Sequence, residues 1–349
     1  MPRFEHPLTR FSAAARPRAQ LWRTLVGAAL AFAMVIALSL LARIGVEALV
    51  HGPPEGDLKS VLHAALRASA APRTTLSTLI ALASFAAFWP ALWLTTRLVH
   101  ARSGATLWGP TGRIDWGHFR IGLAISLTLG AAAWLPWMHL TGPGGFEVRA
   151  LADWLPVLAI GLPLVFVQSA SEELLFRGYL LQQLAARTWS ILGWSLLPSL
   201  LFGMLHDDFN EPLGINWFSF VFGLIMAAVT SRTANLGAAV GMHFGHNIIN
   251  VLMIAPMGLA MNAALISRPG GVDLRGPNLI YILVMFLGTL IFMARKDMQF
   301  LKAWRADPSR EGQPPVRLML PLRLAFTADR RRPETPPASA AARRRAKDG

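Results

Sequence analysis

The stretch SEELLFR, residues 171–177, decides how the chain is interpreted, because it places two adjacent carboxylates and an arginine within an apolar run. Charged side chains at membrane depth are costly and mark functional sites. On a helix each residue turns the chain by about 100°, so Glu173 and Arg177 share a face and pair, whereas Glu172 points elsewhere. A poorly solvated, unpaired carboxylate suits general acid/base chemistry. From this stretch alone, an ordinary ion cluster at the lipid headgroups is an open alternative.

The composition indicates a multi-span membrane protein. Of the 349 residues, 54% are hydrophobic and 15% are charged, and the mean hydropathy is +0.43. Most of the net charge of +14 lies in two basic tails, which favours cytoplasmic tails in contact with anionic lipid over nucleic-acid binding. The sequence contains no cysteine, which excludes disulfides, thiolate catalysis and Cys-based metal sites. This composition is typical of a multi-pass protein of the bacterial inner membrane.

The hydropathy pattern predicts an all-α fold, a polytopic integral membrane helical bundle with about eight transmembrane helices. The predicted spans are 24–50, 76–99, 119–140, 154–187, 189–206, 215–230, 236–257 and 277–293. Pro90 is expected to kink the second span. The Lys and Arg counts of the loops alternate in a way that predicts cytoplasmic positions for both termini.

Two later spans carry polar residues that could meet the carboxylate. Glu172 lies 16 residues before Thr188 and His206 lies 18 residues after it, so a helical hairpin that turns there brings both side chains to nearly the same depth. His243 and Asn247 share a helical face at i,i+4 spacing. Two alternatives are open. His206 could simply end a helix at the membrane interface, and His243 and Asn247 could form hydrogen bonds that hold helices together.

The seventh span also carries features of helix packing. Gly237, Gly241 and Gly245 form a ridge of small residues, which lets membrane helices approach closely. His246 and Asn250 lie in the same span, and interhelical hydrogen bonding is the plausible role for both.

Three short patterns in this order resemble the motifs of a known family. They are EExxxR at 172–177, FxxxH at 202–206 and HxxxN at 243–247. They are similar to the motifs of the CPBP family, the CAAX prenyl proteases and bacteriocin-processing proteins, also called the Abi family, of intramembrane glutamic endopeptidases. The similarity covers about residues 150–255.

The resemblance implies an all-helical intramembrane protease. By analogy with the family, Glu172 and His206 activate a water that attacks the scissile carbonyl, while His243 and Asn247 stabilise the oxyanion. The residue chemistry agrees, because a carboxylate base needs a free oxygen and an oxyanion needs preorganised donors. Glu173 and Arg177 complete the first motif as an ion pair.

The predicted organisation follows from these assignments. It consists of a basic cytoplasmic segment (1–23) that is disordered or lies on the membrane surface, N-terminal transmembrane helices (24–149), the CPBP/CAAX-protease-like catalytic core (150–257), the last loop and transmembrane helix (258–294), and a basic, disordered cytoplasmic tail (295–349). The expected partners are a membrane-associated peptide or protein substrate and the lipid bilayer, with no nucleic acid.

Three other functions are compatible with the same residues. Glu172, His206 and His243 could bind Zn²⁺ as a metalloprotease, although no HExxH helix is present and no cofactor is expected. Intramembrane Glu, His and Arg also occur in transporters, whose inverted repeats this sequence lacks. A non-enzymatic membrane scaffold would tolerate substitution of the motif residues.

Overall fold

The computed structural model describes residues 6–51, 74–140, 146–188, 190–206, 214–255, 262–268 and 275–305. The N-terminal half contains α1 (Pro7–Ser12), α2 (Leu21–His51), α3 (Thr75–Ser84), α4 (Phe88–Leu98) and α5 (Trp116–Leu140). The second half contains α6 (Leu151–Glu173), α7 (Gln182–Ala185), α8 (Leu197–Leu205), α9 (Trp217–Thr233), α10 (Gly237–Asn247) and α11 (Arg275–Arg305). Three π-helical segments lie at Leu174–Leu181, Leu192–Leu196 and Ile248–Met253, and 3-10 turns lie at Ala13–Arg18, Phe85–Ala87 and Gly104–Trp108.

The helices confirm the all-α polytopic membrane fold. Within the described ranges, five helical stretches are long and apolar enough to cross a bilayer: Leu21–Ala42, Thr75–Leu98, Trp116–Pro136, Leu151–Ala185 and Leu279–Lys296. Two shorter apolar helices cover Leu192–Leu205 and Trp217–Thr233, and α10 with the π segment after it occupies the place of the seventh predicted span.

Helix α10 packs tightly against α5. A Cβ on Gly241 would collide with the carbonyl oxygen of Phe119, and a Cβ on Gly122 would collide with the carbonyl oxygen of Ala238. The two backbones are therefore so close that each helix must carry glycine at the point of contact. This agrees with the glycine ridge predicted for the seventh span. This packing buries α10 in the bundle, where it also contacts α6.

The second span is interrupted rather than simply kinked. The 3-10 turn Phe85–Ala87 separates α3 from α4 and lies three to five residues before Pro90. A proline ring crowds the carbonyl four residues earlier and removes one helical hydrogen bond, so the irregularity appears on that side of it.

The N-terminal segment differs from the prediction. Its described part, from His6, forms α1 and a 3-10 turn, and Leu8 and Phe11 are 4% and 1% exposed within the main hydrophobic core. The expectation of disorder or surface location was wrong here, because apolar residues three apart supply a buried helical face that the basic composition conceals.

The last two predicted spans also end elsewhere. The seventh stops at Met253, after which Ile254–Ala255 forms a strand that pairs parallel with Ile266–Ser267. The latter strand pairs antiparallel with Glu147–Val148. Helix α11 continues through the charged residues after Met293 to Arg305. The predicted tail beyond Arg305 and the acidic loop 207–213 lie outside the described residues.

Candidate active site

The carboxylate pair lies where α6 changes to π geometry. Glu172 and Glu173 end α6, and Arg177 lies in the π segment Leu174–Leu181. These three side chains are 5%, 0% and 1% exposed, respectively. Wide π turns in membrane and soluble helices occur frequently at functional sites. The charges therefore lie inside the bundle and not at its surface.

Glu173 binds two cationic or polar partners through one oxygen. Arg177 Nη1 donates to Glu173 Oε1 at 2.8 Å, as the i,i+4 spacing predicts. Arg177 Nη2 donates to the carbonyl of Gly223 at 3.1 Å, and its guanidinium carbon lies 4.8 Å from the ring centre of Phe202. The same Glu173 oxygen lies 2.8 Å from His243 Nδ1. The prediction of Arg177 as the partner of Glu173 was therefore incomplete.

Glu172 has one occupied and one open oxygen. Gln168 Nε2 donates to Glu172 Oε1 at 2.6 Å. Within the described part of the chain, the buried Oε2 has no hydrogen-bond partner. It lies 3.6 Å from His206 Nε2 and 3.5 Å from His243 Nε2. The structure thus brings Glu172 and His206 to one depth, as the hairpin argument predicts.

His206 forms the accessible side of this group. It follows the last residue of α8, and its Nδ1 lies 2.8 Å from the carbonyl oxygen of Phe202. The two rings pack with centres 4.2 Å apart. The His206 side chain is 35% exposed, in contrast to the buried Glu172 and His243. His206 is therefore the most exposed of these three side chains.

Asn247 contacts the site through a residue that the sequence analysis missed. Its Nδ2 donates to Gln168 Oε1 at 2.6 Å and to Ser169 Oγ at 3.2 Å. The family resemblance assigns this amide to the oxyanion, whereas both amide hydrogens have acceptors in this structure. The sequence feature that could have identified this residue is the position of Gln168, one turn before Glu172 in an otherwise apolar run. A glutamine there is costly to bury without a hydrogen-bond partner.

His246 lies outside this group. Its ring packs among those of Phe218, Phe222 and Tyr281, with centres 5.3, 5.2 and 4.8 Å away. Asn250 Nδ2 donates to the His246 carbonyl at 2.8 Å. The His246 ring therefore packs against other helices, whereas the hydrogen bonds that Asn250 makes to His246 lie within one helix and not between helices as predicted.

The fold and this group of residues define a multi-pass helical membrane protein with a buried Glu-His site. Residues 153–249 match the model of the Rce1-like family, described as type II CAAX prenyl endopeptidase Rce1-like. The matched range contains all three motifs, so the resemblance of this part of the chain to the Rce1-like family is confirmed.

A curated relative shares part of the chain. The uncharacterized protein YyaK of Bacillus subtilis (strain 168) is 27% identical over 173 residues, which are 47% of this chain and 57% of YyaK. The chain thus matches little more than half the length of that relative. No solved structure matches the chain.

Proposed function

We propose that the protein is an intramembrane endopeptidase that hydrolyses peptide bonds of membrane-associated proteins or peptides with a glutamate-activated water. The observation that carries this proposal is the open Oε2 of Glu172, buried and facing two histidine Nε2 atoms at 3.5 and 3.6 Å. A general base needs an oxygen that no other protein group occupies, next to the proton that it removes.

The contacts of His206 support the position of the water. Its Nδ1 faces a carbonyl oxygen, which only accepts, so Nδ1 carries the proton and Nε2 of the neutral ring is an acceptor. This Nε2 and Glu172 Oε2 are then two acceptors 3.6 Å apart. A water that donates one hydrogen to each would satisfy both. Removal of a proton by Glu172 would turn that water into the nucleophile.

His243 is suited to stabilise the oxyanion. Its Nδ1 faces the Glu173 carboxylate, so this nitrogen carries a proton, and Nε2 becomes a donor when the ring is protonated. Arg177 would balance one of the two carboxylate charges inside the bundle, where an unbalanced charge is costly. Asn247 would supply the second donor by exchanging its longer bond to Ser169.

The substrate would approach from the membrane. The carboxylates lie in the stretch Leu151–Ala185, which is long and apolar enough to cross a bilayer, and His206 is the most exposed residue of the site. We propose a membrane-associated peptide or protein as the substrate, with the bacterial inner membrane as the location because of the composition. The family name refers to CAAX prenyl endopeptidases, so prenylated peptides belong among the substrates that are tested.

A cleavage assay tests the proposal. Purified protein in lipid nanodiscs is incubated with a library of membrane-associated peptides, some prenylated, and the products are identified by mass spectrometry. We expect specific internal cleavage by the wild type and none by Glu172→Ala. Equal cleavage by both proteins, or none by the wild type over the whole library, would contradict the function.

Metal chemistry is the alternative that uses the same side chains. Glu172, His206 and His243 are the ligand types that catalytic zinc accepts. In the described ranges, however, no group of three or more His, Cys, Asp or Glu side chains is placed to hold a metal ion. The proposed mechanism predicts unchanged activity after chelation. The glutamate mechanism would be contradicted if the active protein held stoichiometric zinc, if chelation removed zinc and activity together, and if added zinc restored activity.

A further inference from the structure

Gln168 connects the two halves of the candidate site. It lies on α6 one turn before Glu172 and is 9% exposed. Its amide nitrogen donates to Glu172 Oε1 at 2.6 Å, and its amide oxygen accepts from Asn247 Nδ2 at 2.6 Å. A single side chain therefore bridges the proposed base on α6 and the proposed oxyanion donor on α10.

The direction of this chain of hydrogen bonds is fixed by chemistry. An ionised carboxylate only accepts hydrogen bonds, so Gln168 must turn its NH₂ group toward Glu172. Its carbonyl oxygen then faces Asn247, which must present its own NH₂ group in return. The charge on Glu172 thus determines the orientation of two amides whose oxygen and nitrogen are otherwise hard to tell apart.

This bridge has two consequences for the proposed reaction. The Glu172 carboxylate cannot rotate freely, so Oε2 stays directed at His206 and His243 while Oε1 is occupied. Asn247 is held by a short bond to Gln168, so the longer bond to Ser169 at 3.2 Å is the one available for exchange with an oxyanion. Preorganisation of this kind is what electrostatic catalysis requires.

We infer that Gln168 is a positioning residue that holds the base and the oxyanion donor in register, an inference that rests on the proposed function. It acts through Glu172 and Asn247 and does not itself touch the substrate. A glutamine that only filled space would be replaceable by methionine, which has a similar length, without loss of rate. The positioning role predicts a loss in kcat, because a displaced base and donor affect the transition state more than substrate binding.

Two substitutions test the inference. Gln168→Met removes both hydrogen bonds, and we expect kcat to fall by ~10²-fold, the scale for a misplacement of about 1 Å, with KM changed by less than ~3-fold. Gln168→Glu keeps the acceptor for Asn247 but places a second carboxylate against Glu172. At low pH the two carboxylates would share one proton. As the pH rises and this proton is lost, the two negative charges repel each other and displace Glu172, so the activity of this variant should fall relative to that of the wild type.

Gln183→Met is the matched control. Gln183 is fully buried on α7, and neither of its amide atoms has a hydrogen-bond partner in the described part of the chain. We expect a kcat per folded molecule equal to that of the wild type. Thermal melting of each variant in detergent separates loss of rate from loss of folding.

The outcomes are distinguishable. A folded Gln168→Met that keeps kcat within ~3-fold of wild type overturns the inference and leaves the proposed function intact. If this variant does not fold, Gln168→Glu decides, and a pH profile like that of the wild type overturns the inference. A wild type without any cleavage contradicts the proposed function and removes the inference with it.

Discussion

The two adjacent carboxylates have different surroundings because they point to different sides of α6. Glu173 is fully buried and shares one oxygen between Arg177 and His243. Among the described residues, each carboxylate keeps one oxygen without a hydrogen-bond partner, but that of Glu172 lies 3.6 Å from Nε2 of the partly exposed His206. Glu173 therefore belongs to an ion pair that holds the site together, whereas the neighbouring Glu172 is available for proton transfer.

Glu173 should support both folding and rate, and two variants separate these effects. Glu173→Gln leaves the buried Arg177 charge poorly balanced, so we expect a loss of ~3–5 kcal/mol in the free energy of unfolding. The double variant Glu173→Gln with Arg177→Met removes both charges and should recover much of that stability. Its kcat should stay low, because His243 still lacks its carboxylate partner.

Denaturation curves and cleavage rates for the three proteins provide the measurement. Recovery of both stability and kcat in the double variant would show that Glu173 acts only through Arg177, which contradicts the role given to its contact with His243.

Single side chains were predictable where local spacing determines the contact. The i,i+4 pair of Glu173 and Arg177 follows from helix geometry, and so does the contact between the rings of Phe202 and His206. The contact of Glu173 with His243 was not predictable, because it depends on how two distant helices rotate about their own axes. No sequence pattern encodes that rotation.

At the scale of elements, the close contact of α10 with α5 fixes the depth of His243 and Asn247. Gly241 on α10 and Gly122 on α5 each lie against backbone atoms of the other helix. A side chain at either position would push the helices apart and move the histidine away from Glu172. Glycine packing is therefore a condition for the site as well as for the fold.

We expect Gly241→Leu to destabilise the protein strongly, because a branched side chain would overlap the Phe119 carbonyl and the backbone nitrogen of Leu123. Gly45→Leu is the control, since no atom lies within 4 Å of a Cβ at this exposed position of α2. Thermal melting and expression level measure both. Equal stability of the two variants would contradict the close approach of α10 and α5.

The sequence predicted most spans but not their irregularities. Apolar runs locate α2, α5 and α6 because bilayer thickness requires about twenty such residues. The π segments that follow α6 and precede α8 carry no recognised sequence signal, since they arise from packing and not from propensity. Basic composition concealed α1, whose buried apolar residues are Leu8 and Phe11.

Burial of a histidine near the N-terminal segment predicts that the stability of the whole molecule depends on pH. His100 follows α4, is 4% exposed, and lies within 3.1 Å of the Arg18 carbonyl through Nδ1. Burial lowers its pKa from 6.5 to about 4, and the charge of Arg102 acts in the same direction. The folded protein therefore keeps His100 neutral at a pH where the unfolded chain protonates it.

Because the unfolded state binds the additional proton, this contribution to stability is complete above pH 6.5 and is lost as the pH falls toward 4. We expect the melting temperature of the wild type to fall between pH 7 and pH 5, and to fall less in His100→Gln. The same pH dependence in both proteins would contradict the buried, neutral state of His100.

The arrangement across the membrane is a prediction of the loop charges. Lys and Arg counts place both termini and the turn after Arg187 in the cytoplasm, and place the loop that contains Glu211 on the other side. Reporter fusions after Arg187 and after Glu211 are expected to report opposite compartments. Signals from one compartment at both positions would contradict the predicted orientation.

The most direct test of the central claim replaces the open oxygen of Glu172. Glu172→Gln preserves the size and much of the hydrogen bonding of the side chain but removes its basicity, so the water loses its base. In the nanodisc assay we expect kcat/KM to fall by ~10³-fold or more, with the melting temperature within a few degrees of wild type. A folded Glu172→Gln that cleaves at the wild-type rate would contradict the claim that this carboxylate activates the water.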